Sequence, residues 1–333
     1  MTVEVSVLDP ETEDDRWDWL VERAHRTHPL YRSGALSLQA TETGTTYHLL
    51  VGHVGEEPVG VFPVFEYRRG PLAAAFSPPP RSWSCFLGPA MIEDSSLKRR
   101  TADRRTASFL EGCLEWIDET VSPLYSKYVL AMKDVRPFLS EFAAEVSYTY
   151  VVPLDADPDS LLERFSSDAR RKIRSAPERA TIEEGNGRDI ERIIEQVQAR
   201  YAAQDRAFHL KTDYARRLYE ELGATALRPY VCRLDGTFVG GILVLESDST
   251  RYRWLGGVKP AEGVDVPVNE LLDWRVMVDG LDAGIERYDM VGAGVSSINR
   301  YKAKYNPELE TYHTVTTGSY GLDTVIDRYR KPG

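Results

Sequence analysis

The sequence has few of the residues that build metal sites and disulfide frameworks. Its 333 residues include three cysteines, which lie far apart and lack CxxC spacing. The six histidines are scattered as well, whereas zinc sites gather His and Cys at short spacings. We therefore predict no metal site. The absence of a disulfide pattern indicates a reducing compartment, the cytoplasm.

Long apolar runs are missing too, since no stretch approaches the ~18 apolar residues expected of a membrane span. With 42% hydrophobic and 28% charged residues, the composition is that of a folded globular protein. The net charge of -11 argues against DNA as a partner and against anionic membranes, unless basic residues cluster locally. The length exceeds what a single hydrophobic core usually reaches, so we expect two domains.

The patterns of two other enzyme classes are incomplete. Gly292 and Gly294 form a Gly-x-Gly pair that lacks the third glycine of a dinucleotide-binding fingerprint. Serine does not occur in a Gly-x-Ser-x-Gly elbow. We therefore expect neither a Rossmann dehydrogenase nor a serine hydrolase, and no covalent intermediate.

A repeated order of predicted elements is present instead. In the first half, a strand and a helix are followed by a hairpin, a proline-rich loop, a helix and a strand. In the second half, a strand and three helices are followed by a hairpin, a strand, a further helix and a last strand. Residues 51–65 align without gaps with residues 231–245, and both segments contain an apolar arm, a polar turn and a Val-Gly step. Hairpins share such features by convergence, but the matching elements that follow favour duplication. The prediction is an α/β protein of two similar mixed-sheet units, residues 1–150 and 151–333, with helices on both faces.

Three segments of the second half resemble a known family. They are residues 161–176 (LLERFSSDARRKIRSA), 287–294 (RYDMVGAG) and 301–306 (YKAKYN), with the turn Asp235-Gly236 between the first two. Their order is similar to that in Fem-type and BioF2-like tandem-GNAT transferases, and the first half resembles the N-terminal GNAT-like unit more loosely. The resemblance implies transfer of an acyl or aminoacyl group to an amine, which carries a phosphate in some cases, without metal or bound cofactor.

The resemblance leaves the donor open between acyl-CoA and aminoacyl-tRNA. The Arg/Gln-x-x-Gly-x-Gly loop of acetyl-CoA enzymes is replaced by GVKPAEGVDVP at residues 257–267. A helix that starts after Pro267 could still offer amides to CoA. Three functions are therefore kept: direct acyl or aminoacyl transfer, acetyl-CoA-dependent N-acetylation of a small amine, and a catalytically silent module that binds a ligand.

Candidate catalytic residues follow from the resemblance. Tyr301 and Lys302 fall where relatives carry an aromatic–lysine pair beside the reacting carbonyl, so Lys302 is expected to stabilise the oxyanion. The alternative is a surface lysine on a loop. Lys304 would point elsewhere if the segment is extended. Asp289 ends a predicted strand and could accept the proton of the amine, or it could only anchor the following turn.

A basic helix is the predicted phosphate site. Its cations are Arg170, Arg171, Lys172 and Arg174. Arginine suits phosphate through its forked donors, although Glu163 and Asp168 nearby could neutralise the helix instead. The remaining candidate substrate-binding residues are Tyr252, Trp254, Asn269, Ser297 and Arg300. The two aromatic residues among them could equally belong to the core.

Overall fold

The computed structural model describes residues 2–258 and 265–317. The chain forms two compact units: residues 2–146 together with 311–317 make unit 1, and residues 147–310 make unit 2. Within these described ranges, none of the helices combines the length and the apolar character needed to cross a membrane.

Unit 1 is a six-stranded mixed sheet with an added two-residue strand. Its elements are β1 (Glu4–Leu8), α1 (Asp14–Arg23), α2 (Ser33–Thr43), β2 (Thr46–Val54), β3 (Glu57–Arg69), β4 (Leu72–Ser77), β5 (Ala90–Met91), α3 (Arg99–Thr120) and β6 (Tyr125–Leu130). Strand β7 (Ala143–Pro153) then leads into unit 2.

Unit 2 repeats this order. Its elements are α4 (Pro158–Glu163), α5 (Ser167–Arg174), β8 (Ala180–Glu184), α6 (Gly187–Ala202), α7 (Thr212–Leu222), β9 (Leu227–Leu234), β10 (Thr237–Glu246), β11 (Thr250–Gly256), α8 (Val268–Asp282), β12 (Arg287–Asp289) and α9 (Ser296–Lys302), followed by β13 (Glu308–Thr316).

The strand order is equivalent in the two units. It is β1-β2-β3-β4-β6-β13 in unit 1 and β8-β9-β10-β11-β12-β7 in unit 2. Strands β4 and β6 are parallel, as are β11 and β12, and each pair is connected through a helix, α3 or α8. The other neighbouring strands within each unit are antiparallel, and four of these pairs are hairpins. The predicted fold class, two similar mixed-sheet units in tandem, is therefore confirmed.

The Val-Gly step shared by the two hairpins has a packing reason in both units. A Cβ on Gly60 would stand 2.7 Å from the ring of Phe109, which belongs to the apolar face of α3. At the equivalent position in unit 2, a Cβ on Gly240 would stand 2.2 Å from a methyl group of Val258. Such distances are below van der Waals contact, so only glycine fits without a shift of the neighbour.

Helices cover both faces of the sheet in unit 2. A Cβ on Gly241 would meet Ile193 of α6, whereas Ile242, the next residue of β10, belongs to the core cluster that contains Leu272 and Val276 of α8. Because successive strand residues point to opposite faces, α6 and α8 lie on opposite sides of this sheet.

The last strand in the order of each unit comes from an unexpected part of the chain. Residues 313–316 of β13 pair with β6 of unit 1, although they follow unit 2 in sequence. Residues 151–153 of β7 pair with β12 of unit 2. The sequence placed residues 311–317 in the second unit, because local pattern shows that a segment is a strand but not which strand it pairs with.

A buried histidine in unit 1 provides a pH-dependent prediction. His28 lies against the rings of Tyr31 and Phe86, its Nε2 is 2.8 Å from the carbonyl of Phe86, and its Nδ1 accepts the N–H of Leu30. Burial lowers the pKa of His28 from 6.5 to about 4. The neutral ring therefore stabilises the fold above the unfolded-state pKa, and this contribution is lost as the pH falls towards 4.

We expect the free energy of unfolding to fall by about 2 kcal/mol between pH 7 and pH 5 because of His28 alone. His28→Gln should lack this part of the slope, whatever its stability at pH 7, and exposed His25→Gln should keep it. Urea unfolding of the three proteins at both pH values measures the effect. Equal slopes in wild type and His28→Gln would contradict the prediction.

Candidate active site

The parallel strands β11 and β12 part after three residue pairs. Tyr252 and Asp289 form the last pair, while β11 continues to Gly256 along β10. Among the described residues, β12 offers no partner to β11 beyond this point. Ligands of open α/β sheets bind at the carboxyl ends of parallel strands, so the gap where these two strands separate is the candidate site of unit 2.

Strand β11 contains a bulge beside this gap. Leu243 pairs with Leu255 and Val244 with Arg253, so Trp254 is the extra residue. Bulges re-aim side chains and occur often next to active sites. Tyr252 and Trp254 are each only 5% exposed, as core side chains are. Their predicted contact with substrate stays a prediction.

The turn after β12 is strained and held from two sides. Val291 has a φ of 51°, which is rare for a β-branched residue and costs on the order of 1–3 kcal/mol. Its N–H donates to Oδ1 of Asp289 (2.8 Å), and its carbonyl accepts from Nζ of Lys302 (2.7 Å). The two side chains that the sequence singled out therefore meet at one turn.

Asp289 is buried and takes two hydrogen bonds. Besides the N–H of Val291, the hydroxyl of Thr149 donates to Oδ1 at 2.5 Å, and the N–H of Gly292 donates in turn to the Thr149 oxygen. Burial raises the pKa of Asp289, while these bonds and the charge of Lys302 oppose the rise. Asp289 thus anchors the turn, and its role as a proton acceptor stays a prediction.

Lys302 is not a surface lysine on a loop. It is the last residue of α9, is 6% exposed, and donates through Nζ to the carbonyls of Val291 and Gly292 at 2.7 and 2.6 Å. The segment is helical rather than extended. The condition of the prediction for Lys304 is therefore not met. Lys304 lies in a short 3₁₀ turn that follows α9, and its Nζ contacts Oε1 of Glu270 at 2.5 Å.

Tyr301 forms a hydrogen bond to a buried carboxylate that the sequence analysis missed. Its hydroxyl donates to Oδ2 of Asp273, a fully buried residue of α8, at 2.5 Å, and lies 2.7 Å from the hydroxyl of Tyr305. Burial, and then the charge of Asp273, raise the pKa of Tyr301 well above its usual value. A sequence signal existed, since Asp273 interrupts the apolar face formed by Leu272 and Val276.

The basic helix α5 is neutralised by carboxylates of its own unit. Arg171 pairs with Asp168 and Arg174 with Glu163. Lys172 lies 2.9 Å from the buried Glu270 and 3.3 Å from Asp168. Arg170 donates to the backbone carbonyls of residues 163 and 165. The structure thus agrees with the alternative in which nearby carboxylates neutralise α5. The charges of α5 do not support a phosphate site there.

Of the other predicted binding residues, Asn269 has a structural role, and Ser297 and Arg300 lie at the surface. Asn269 exchanges two hydrogen bonds with the backbone of Val258, at 2.8 and 2.7 Å, and so ties the start of α8 to the end of β11. Ser297 and Arg300 are exposed on α9. The predicted donor loop at residues 257–267 lies largely outside the described residues. In the parts of the chain that are described, no group of His, Cys, Asp and Glu is arranged to hold a metal ion.

A second basic cluster, which was not predicted from the sequence, lies in unit 1. Its exposed members at the start of α3 are Lys98, Arg99, Arg100 and Arg104. Within residues 2–258 and 265–317, their side chains form no ion pair or hydrogen bond. The first turn of α3 contains no acidic residue, although the helix dipole favours acids there and disfavours cations. The positive charges at this end of α3 therefore do not stabilise the helix.

Comparison with known proteins agrees with this geometry. Residues 163–303 match the model of an acetyltransferase (GNAT) domain. None of the curated proteins matches the sequence. The crystal structure of FemX is similar with a TM-score of 0.74 at 13% identity, covering 97% of this chain and 99% of FemX.

Two further solved structures share the fold. One is the C-terminal domain of a putative lysylphosphatidylglycerol synthetase from Agrobacterium fabrum, with a TM-score of 0.53 at 13% identity and coverage of 96% of each chain. The other is a tandem GNAT protein from the clavulanic acid biosynthesis pathway, with a TM-score of 0.51 at 14% identity, covering 95% of this chain and 98% of that one. At such identities the likeness shows a shared fold.

Proposed function

We propose that this chain moves an acyl or aminoacyl group from a thioester or ester donor directly to an amine, because residues 163–303 match an acetyltransferase (GNAT) domain and the fold is similar to that of FemX. The observation that carries the proposal is the gap between β11 and β12, with the ammonium of Lys302 and the carboxylate of Asp289 at the turn that borders it.

The chemistry assigns one role to each group. The amine nitrogen bonds to the carbonyl carbon, and the C–S or C–O bond to the donor then breaks. Negative charge develops on the carbonyl oxygen, where the fixed ammonium of Lys302 stabilises it. Asp289 accepts the amine proton, directly or through water, and the proton passes to the leaving group. Positioning of both substrates supplies much of the remaining rate.

Direct attack agrees with the state of the buried thiol in unit 2. Cys232 is inaccessible to solvent, and burial raises its pKa to about 11. It is therefore a protonated thiol at neutral pH and a poor nucleophile. We expect Cys232→Ala to keep wild-type turnover, and intact-protein mass spectrometry after incubation with donor to show no added acyl mass. An acyl adduct on the chain would contradict direct attack.

Two classes of donor are candidates, and separate observations support each of them. An aminoacyl ester is favoured by the similarity to a putative lysylphosphatidylglycerol synthetase, and a tRNA donor requires a cationic surface, which α3 offers and α5 does not. Acetyl-CoA is favoured by the match to an acetyltransferase domain. We place the aminoacyl ester first. N-acetylation of a small amine is the second candidate.

Titration with acetyl-CoA, free CoA and aminoacyl-tRNA at low and high salt separates these functions. If the α3 cations bind four phosphates, affinity for tRNA should fall on the order of a hundredfold between about 50 and 200 mM salt. Arg100→Glu/Arg104→Glu should weaken tRNA binding, and the matched control Arg171→Glu/Arg174→Glu should not. Saturable CoA binding alone would favour N-acetylation. Binding of neither donor would leave a silent module.

A further inference from the structure

We propose that Asp273 is a positioning residue that holds α9, and with it Lys302, in place beside the strand gap. The proposal rests on the role given to Lys302 above. It concerns a residue that touches neither the gap's turn nor any atom assigned to the reaction, and it acts through Tyr301, the neighbour of Lys302 in the chain.

Asp273 receives donors from three other elements of unit 2. Oδ1 accepts from Nε of Arg253 in β11 and from the hydroxyl of Tyr288 in β12, both at 2.7 Å. Oδ2 accepts from Tyr301 in α9 at 2.5 Å and from Tyr305 at 3.3 Å. One carboxylate on α8 therefore ties together both strands that border the gap and the helix that carries Lys302.

The charges of this cluster explain why a carboxylate stands there. Burial alone would lower the pKa of Arg253, but the attraction of Asp273 outweighs it, so the guanidinium stays charged. The three tyrosines remain protonated donors because burial raises their pKa values. Replacing such a buried cluster by apolar side chains is often neutral for stability, so we assign to the cluster the role of specifying geometry.

The cluster and the turn clamp α9 from two sides. Tyr301 is fixed to α8 by its hydroxyl, while the next residue, Lys302, is fixed to the carbonyls of Val291 and Gly292. Elsewhere α9 is mostly exposed: Ser296 and Ser297 face solvent, and Ile298 is partly exposed. Besides the bond from Tyr301, the side-chain hydrogen bonds that hold α9 are those of Lys302 and that of Asn299 Nδ2 to the carbonyl of Ala293 (2.9 Å), and all of these reach only the segment that follows β12.

A pair of matched variants tests this inference. The direct change, Asp273→Asn, leaves Arg253 without its counter-ion and risks unfolding. Tyr301→Phe and Tyr288→Phe instead each remove one hydroxyl from the same carboxylate. Tyr288 lies in a strand paired on both sides, with β7 and β11, so its backbone is held without the hydroxyl. A merely structural cluster predicts that the two variants behave alike.

We expect Tyr301→Phe to accelerate amide exchange of residues 296–305 at least about tenfold, because the buried hydroxyl that bonds to Asp273 and Tyr305 is lost. With whichever of acetyl-CoA and aminoacyl-tRNA the wild type turns over, it should lower kcat and leave KM unchanged. Tyr288→Phe should change neither the exchange of this segment nor kcat. In a Lys302→Met background, Tyr301→Phe should lower kcat no further, because the residue it positions is gone.

Each outcome decides one claim. Equal exchange of residues 296–305 in both variants would overturn the anchoring by Asp273. Faster exchange with unchanged kcat, or an additive loss in the double variant, would overturn the positioning of Lys302. If the wild type turns over neither donor, the proposed function fails, and the exchange measurement still decides whether Asp273 holds α9.

Discussion

Lys302→Met is expected to lower kcat by about 10²–10³-fold, which corresponds to roughly 3–4 kcal/mol of lost transition-state stabilisation. Methionine has a similar length but no charge, so the developing oxyanion would lose the ammonium while the packing is largely kept. The substrate carbonyl is uncharged before attack, and KM should therefore change little. Steady-state kinetics with the donor identified by titration measures both constants.

The matched control is Lys304→Met. Lys304 is two residues away and partly buried, but its ammonium contacts Glu270, which Lys172 also neutralises. Its loss should leave kcat close to the wild-type value. Circular dichroism and thermal unfolding must show that Lys302→Met is folded, because the carbonyls of Val291 and Gly292 lose a donor in this variant. A folded Lys302→Met protein with near wild-type kcat would remove Lys302 from the chemistry.

Val315→Asp is expected to destabilise unit 1, although residue 315 follows unit 2 in sequence. Val315 is 0% exposed and belongs to the core cluster of unit 1 with Tyr128 and Phe138. Placing a carboxylate there buries an unpaired charge, which should cost about 3 kcal/mol or more. Hydrogen exchange should show the loss of protection in β6 and α3, while β9 and β10 of unit 2 remain protected.

Thr314→Asp serves as the control for this change. Thr314 is adjacent in β13 and only half-buried, and its side chain leaves the strand on the opposite face. It should cost far less free energy of unfolding in urea. A loss of protection confined to unit 2 in Val315→Asp would contradict the assignment of β13 to unit 1.

Local pattern predicted several elements to within a residue or two. The helix expected at residues 268–283 is α8, Val268–Asp282, and the aligned hairpins are β2-β3 and β9-β10. A single predicted helix at residues 159–175 is two helices, α4 and α5, because Ser166 caps α5 through the N–H of Ala169. A serine inside a charged segment does not show by itself whether it caps a new helix or continues the old one.

Periodicity, composition and the order of motifs determined by themselves the α/β class, the similarity of the two units and the family resemblance, because these depend on short-range sequence features. The tertiary structure decided the rest. It neutralised cations of α5 with Glu163, Asp168 and Glu270, of which Glu270 lies 98 residues from Lys172. It also paired β13 with β6 of unit 1 and directed the hydroxyl of Tyr301 to Asp273. Charge pairing and strand pairing join residues that are distant in sequence, and no local window contains both partners.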